Sequence, residues 1–108
     1  MNWIFVTDNV DGDKFYYDKD RVRKSGKYLY LWKLVDVIKP VYGDLSSTTY
    51  IELDCSIFRT KDLKFQTYNK SMGEGKMTSD MTPLDGWKYP KINSVVEFFY
   101  KQICWIHQ

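Results

Sequence analysis

Apolar and polar positions alternate most cleanly along Tyr50-Ile-Glu-Leu-Asp-Cys-Ser-Ile-Phe58. Ile51, Leu53, Cys55 and Ile57 fall on one side of an extended chain, and Glu52, Asp54 and Ser56 on the other. Such a pattern predicts a strand with one face in a core. The same period-2 spacing runs through Asn2 to Thr7 and Lys14 to Asp18. These are separated by Asp8-Asn-Val-Asp-Gly-Asp13, whose residue types suit a hairpin turn. Asp20 to Gly26 is a polar connection closed by a glycine. The longest signal follows, Tyr28 to Val37. Tyr28, Tyr30, Trp32 and Leu34 share one face; Leu29, Leu31, Val35 and Val37 share the other. A strand apolar on both sides is usually central and covered twice. Lys39 to Leu45, with Pro40 and Gly43, predicts a loop, and Arg59 to Asp62 a turn. Leu63 to Tyr68 is a fifth strand. Lys70 to Gly75 breaks it, Lys76 to Met81 is a weaker sixth, and Pro83 to Pro90 is irregular.

The period changes at Ser94. Val96, Phe99, Tyr100 and Ile103 follow 3.6-residue spacing and predict the buried stripe of a helix, with Cys104 on its flank. Ser94 and Glu97 have capping-box spacing, in which hydroxyl and carboxylate satisfy free amides at the helix start. Six short strands followed by one helix predict an α+β fold: a six-stranded antiparallel β-sheet with a C-terminal helix packed on one face.

Composition narrows the class. The chain has 108 residues, which predicts a single domain over residues 1–108. With 44% hydrophobic and 18% aromatic residues it can build a core, which argues against disorder. No apolar run approaches the length of a membrane span, and Trp3-Ile-Phe-Val6 is too short for a signal sequence. The chain is therefore read either as cytosolic or as a mature form whose signal peptide is absent. A net charge of +2 gives no broad field for nucleic acid or acidic membrane. No nucleic-acid partner and no cofactor are expected.

Cys55 and Cys104 are the sharpest chemical pair. Periodicity places both toward the sheet–helix interface. Either they bridge, closing a loop of about fifty residues and stabilising by roughly 4 kcal/mol, or they are two buried thiols in a reducing compartment. Cys104 and His107 have a zinc-compatible spacing, but only Cys55 could add a third ligand, so no metal is expected and His107 is read as a solvated end. Asp8, Asp11 and Asp13 around Gly12 miss the spacing of a calcium loop and are read as hairpin turn.

Partner binding has two candidate groups. Lys19, Arg21, Arg23, Lys24 and Lys27 form the densest basic run, suited to an acidic partner or a sulfated sugar; the alternative is a solvated turn partly neutralised by Asp18 and Asp20. Tyr28, Tyr30 and Trp32 form either an exposed aromatic platform or part of a core, because one helix can cover only one sheet face. No nucleophile elbow, phosphate loop, metal-binding helix motif or Cys/His nucleophile pair is present, so no catalytic residue is assigned. Asn69-Lys-Ser71 matches a glycosylation sequon, a motif short enough to recur by chance.

The order of these features resembles the surface-adhesin protein E family of bacterial envelope proteins. The matching run starts with the aromatic first strand and the Asp11-Gly12 hairpin. It continues through Tyr17-Asp18, Arg21-Val-Arg-Lys-Ser-Gly26, Trp32-Lys-Leu34, Glu52-Leu-Asp-Cys55, Arg59 and Tyr68. Met72-Gly-Glu-Gly75, Pro90, Ser94 before Glu97, and Cys104 complete it. The resemblance implies a six-stranded antiparallel sheet with a C-terminal helix tethered by a Cys55–Cys104 disulfide. It implies export to the periplasm or the cell surface. It also implies a non-enzymatic binding module, an adhesin for host extracellular-matrix proteins such as vitronectin and laminin, able to form a homodimer. The competing reading is a structural or small-ligand-binding periplasmic domain without adhesin activity.

Overall fold

A computed structural model describes residues 1–107. Eight strands precede one helix: β1 (Trp3–Asp8), β2 (Lys14–Asp18), β3 (Arg23–Ser25), β4 (Tyr28–Val41), β5 (Asp44–Asp54), β6 (Arg59–Tyr68), β7 (Met77–Met81), β8 (Trp87–Lys88) and α1 (Val95–Ile106). Six of them form the path β1-β2-β4-β5-β6-β7 in one antiparallel sheet. The short β3 adds to β4 beside β2, and β8 adds to β6 beside β7. These two short strands fall in segments expected to be a polar connection and an irregular stretch. Neither has the length or the alternation that a sequence pattern needs.

The two central strands are longer, and differently bounded, than their apolar patterns suggest. β4 runs on to Val41 through Pro40, and β5 begins at Asp44 rather than Tyr50. The expected loop over Lys39–Leu45 is therefore a hairpin whose tip is Tyr42-Gly43. Both tip residues have positive φ, 50° and 84°, the requirement of a tight two-residue hairpin turn. Pro40 is tolerated because β4 shifts register against β5 between Asp36 and Val41, where no ladder bond is demanded of it.

The other end of β5 is also displaced. The strand stops at Asp54, so Cys55 opens a turn, and Ile57, expected to be buried, is 52% exposed. The cause is local. The Asp54 carboxylate accepts hydrogen bonds from the Ser56 and Ile57 amides and the Ser56 hydroxyl, which bends the chain at once. Arg59 to Asp62, read as the turn, already belong to β6.

One sheet face carries the core. Phe15, Tyr17, Leu29, Leu31, Ile51 and Leu53 pack against Phe99, Tyr100 and Ile103 of α1. The helix starts as its spacing predicts: the Ser94 hydroxyl accepts from the Glu97 amide at 3.1 Å, and Glu97 reaches back to the Asn93 amide at 3.0 Å. Val96 departs from the expected stripe and is 36% exposed. Cys55 and Cys104 are joined in a disulfide, Cα–Cα 5.8 Å, that ties the end of α1 to the turn after β5. His107 is not a solvated end. Its Nε2 lies 3.2 Å from the Tyr17 hydroxyl, and the two rings meet edge to face.

The opposite face is covered in part. A 3-10 turn, Ser71–Gly73, folds back over Leu34 and Thr48, both buried. Ser46 fastens it, donating from Oγ to the Lys70 carbonyl at 2.6 Å and accepting from the Gly73 amide at 2.9 Å. Gly73 is required here. Its φ is +69°, and a Cβ would sit 3.3 Å from the Leu34 methyl. The remainder of this face is open.

Candidate functional site

The open face is built from side chains that alternate away from the core. On β4, Leu29 and Leu31 point to the helix, so Tyr28, Tyr30 and Trp32 point to the other side, each half-buried. On β5, Tyr50 and Glu52 take the same side as partners of Trp32 and Tyr30. On β8, Trp87 pairs with Lys61 and joins them. The rings line up along this face in two packed groups, Trp87 with Tyr28, and Tyr30 with Tyr50 and Trp32. Trp87 lies 5.6 Å from Tyr28, Tyr30 stacks 6.3 Å from Tyr50, and Tyr50 lies 5.1 Å from Trp32. These separations are those of favourable aromatic pairs.

Cations cover the row. Arg21 sits 5.4 Å over Trp32, Arg23 4.7 Å over Tyr30, Lys27 5.4 Å over Tyr28, and Arg59 4.2 Å over Trp87, with Lys61 at 5.8 Å. Each is within the distance at which a ring's quadrupole attracts a cation. Arg23 also donates to the Tyr50 hydroxyl at 3.3 Å, and the Tyr30 hydroxyl donates to Glu52 at 2.6 Å.

Two buried aspartates fix the ends of the row. Asp18, at the end of β2, accepts from the amides of Asn2 and Asp20 and from Arg21 Nε. Asp54, at the end of β5, accepts from Ser56, Ile57 and, at 3.1 Å, Arg59 Nε. Both carboxylates are fully buried, and each aims its arginine at a tryptophan, Arg21 at Trp32 and Arg59 at Trp87. The Ser56 hydroxyl leads the bonds that hold the Asp54 pKa at about 2, outweighing burial. At Asp18 burial pushes the pKa up, but Arg21 and the two amides outweigh it and leave it below the ordinary value.

Of the residues singled out from the sequence, Arg21, Arg23, Lys27, Tyr28, Tyr30 and Trp32 come together here. Lys24 does not. It pairs with Leu29, so alternation turns it away from Arg23, and it makes none of these ring contacts. Lys19 lies in the 3-10 turn Lys19–Arg21, exposed and also outside the row. The sequence reading missed Tyr50, Trp87, Arg59 and Lys61. Tyr50 carried a signal, since it is in alternation with Glu52; Trp87 carried none, because the two-residue β8 has no periodicity. Cys104 is bonded to Cys55 and is not free to ligate a metal with His107. Asp11 and Asp13 belong to a turn organised by Asn9, whose Oδ1 accepts both their amides at 3.0 Å.

Comparison with known proteins agrees with this architecture. The chain superposes on the crystal structure of protein E from non-typeable Haemophilus influenzae with a TM-score of 0.74 at 15% identity, covering 95% of this chain and 75% of that one. A second crystal form of Haemophilus influenzae protein E gives 0.75 at 15% identity, covering 98% and 89%. At that identity the likeness establishes the fold alone. No curated protein matches the sequence significantly. The family model for surface-adhesin protein E matches residues 3–105, nearly the whole chain, and the protein therefore belongs to the surface-adhesin protein E family.

Proposed function

We propose that this protein is a non-enzymatic, exported binding module of the bacterial envelope that engages an acidic surface of a partner protein through the open sheet face. One observation carries the reading. A row of aromatic rings, Trp87-Tyr28-Tyr30-Tyr50-Trp32, lies open on the sheet, interleaved with cations and fixed at both ends by buried aspartates. Aromatic and arginine side chains supply most of the energy of protein interfaces, and positions locked in advance lose little entropy on binding. Arg23, Lys27 and Lys61 have no carboxylate within ion-pair distance among the described residues, which favours an acidic counterpart. Among the described residues no helix is long and apolar enough to cross a membrane.

Membership of an adhesin family supports display at the surface over retention in the periplasm, with host matrix proteins such as vitronectin and laminin as the partners. Immobilised vitronectin and laminin test this. Saturable binding to either is expected, and a Tyr30→Ala/Trp87→Ala double variant should lose it while keeping its fold. Absence of saturable binding to both proteins would remove the adhesin reading.

A second reading has its own observation. Beyond the helix, the core face of the sheet holds a cavity of about 580 Å³ bordered by Val37, Val41, Tyr42 and Phe65. Such a groove suits a hydrophobic ligand or a second copy of the chain in a periplasmic domain without adhesin activity. Native mass spectrometry of freshly purified protein separates the two, since a bare monomer removes both ligand and homodimer.

A further inference from the structure

Lys33 is anomalous among the cations that approach the sheet. It lies on β4 between Leu31 and Val35, on the core side, and is largely enclosed. No carboxylate or hydrogen-bond acceptor among the described residues engages its ammonium group; its close feature is the Tyr100 ring, 5.5 Å away. The neighbouring carboxylate, Asp62, is committed to Lys88 at 2.8 Å, and Lys88 is shared with Asp85 at 3.2 Å. An enclosed ammonium without a counter-charge is costly, so natural proteins usually pair it.

A second group nearby is also unpartnered. The Tyr100 side chain is 1% exposed, and no described residue engages its hydroxyl; because no fully buried side-chain oxygen or nitrogen among the described residues lacks a partner, that hydroxyl is reached by solvent. Lys33 and Tyr100 border the same cavity, about 320 Å³ and open to solvent, between β4, β6 and the start of α1. Lys91, Ser94, Pro90 and Val96 also line it, as does the Asp62–Lys88 ion pair, in which Lys88 neutralises the one carboxylate among the described residues that borders the cavity. The Val95 and Val96 amides, in the first turn of this twelve-residue helix, have no acceptor among the described residues and add positive potential. Glu97 is turned to Asn93 and Lys101 and does not border the cavity.

We propose that this cavity binds a small organic carboxylate with an apolar body, its two oxygens taken by the Lys33 ammonium and the Tyr100 hydroxyl. The Lys33 ammonium and the Tyr100 hydroxyl together offer a donor to each oxygen of a carboxylate, with Lys91 a further cation lining the cavity. The body lies against Pro90 and Val96. The cavity volume is at the small end of ligand sites, enough for a ligand of about benzoate size. Burial holds the Lys33 pKa below its ordinary value, with Asp62 opposing and Lys88 adding to the effect. A bound carboxylate opposes that shift, because it favours the charged ammonium. The site lies on the core side of the sheet, opposite the aromatic row, and does not depend on partner binding there.

Two-dimensional amide NMR of the intact protein tests the site with benzoate, its neutral isostere benzamide, and inorganic phosphate. Benzoate should shift the Val96 and Tyr100 amides saturably, and benzamide and phosphate should not. Lys33→Met keeps the length of the stem, removes the charge, and should weaken benzoate by about tenfold or more, the scale of a lost charge-assisted hydrogen bond. Tyr100→Phe should weaken it severalfold. No saturable benzoate shift overturns the site. An equal response to benzamide, or a response to phosphate alone, overturns the carboxylate assignment. Undiminished benzoate binding by a folded Lys33→Met variant overturns the role of Lys33. The benzoate–benzamide comparison uses the unaltered chain and decides the question if that variant fails to fold.

Discussion

Asp18 and Asp54 hold charges that water does not reach, and their partners decide both local shape and pH response. Asp54 makes the turn that carries Cys55 toward the helix and positions Arg59 over Trp87. Asp54→Asn keeps the size of the side chain but loses the ion pair and leaves donors poorly matched, so it should cost about 1–3 kcal/mol in urea unfolding. The sign of the pH effect follows from the folded pKa, about 2, lying below the ordinary carboxylate value of 3.8. A group depressed in this way stabilises the fold above its unfolded pKa, and that contribution is lost as pH falls through the folded one. Stability of the unaltered protein should therefore drop between about pH 4 and pH 2, with Asp18 acting in the same direction. Urea midpoints measured across that window should fall less steeply for Asp54→Asn; an identical slope would show that Asp54 is not the group titrating.

At the scale of elements, two segments are held by few contacts. The 3-10 turn Ser71–Gly73 depends on Ser46, whose hydroxyl serves two of its backbone groups. Ser46→Ala should cost about 1–2 kcal/mol and speed amide exchange at Gly73, because Leu34 beneath it loses its cover. The end of α1 depends on the disulfide. Cys104→Ser should cost roughly 2–5 kcal/mol, and exchange should rise along α1 before the sheet melts. Thiol titration of unreduced, denatured protein from its native compartment should find no free cysteine; two per chain would remove the bridge and weaken the case for export. The strands and the helix were legible because their side chains repeat with periods of 2 and 3.6. Their ends were not. Pro40 reads as a breaker, yet the chain crosses it at a register shift, and Tyr42-Gly43 lacks the asparagine or aspartate that advertises such a turn. The helix stripe was off by Val96 because α1 is apolar on several sides; Phe98, Trp105 and Ile106 are exposed as well. At the site, Tyr28, Tyr30 and Trp32 were legible from one strand. Tyr50, Arg59 and Trp87 reach the same face only through strand pairing, which one sequence does not display.

Across the whole molecule, the sheet separates two faces of different character. The helix covers the core on one, and the aromatic row occupies the other, so changes in the row need not disturb the core. The row itself mixes two kinds of contribution that kinetics can separate. Lys27 and Lys61 reach over ring faces from exposed or half-exposed positions without carboxylate partners among the described residues, so their fields extend into solvent and are screened by salt. Trp32 is half-buried and packed between Tyr50 and Arg21, so a partner covering it would trap a large, already ordered surface. Peripheral charges act chiefly on encounter, and packed aromatic anchors on residence time. For a captured acidic partner, Lys27→Glu/Lys61→Glu should therefore lower the association rate and flatten its dependence on ionic strength, with the dissociation rate changing little. Trp32→Ala should raise the dissociation rate by about tenfold or more and leave the association rate within about threefold. Surface plasmon resonance at two salt concentrations reads both rates. If the charge-reversal pair leaves association and its salt dependence unchanged, the partner approaches through some other surface, whatever the effect of Trp32→Ala.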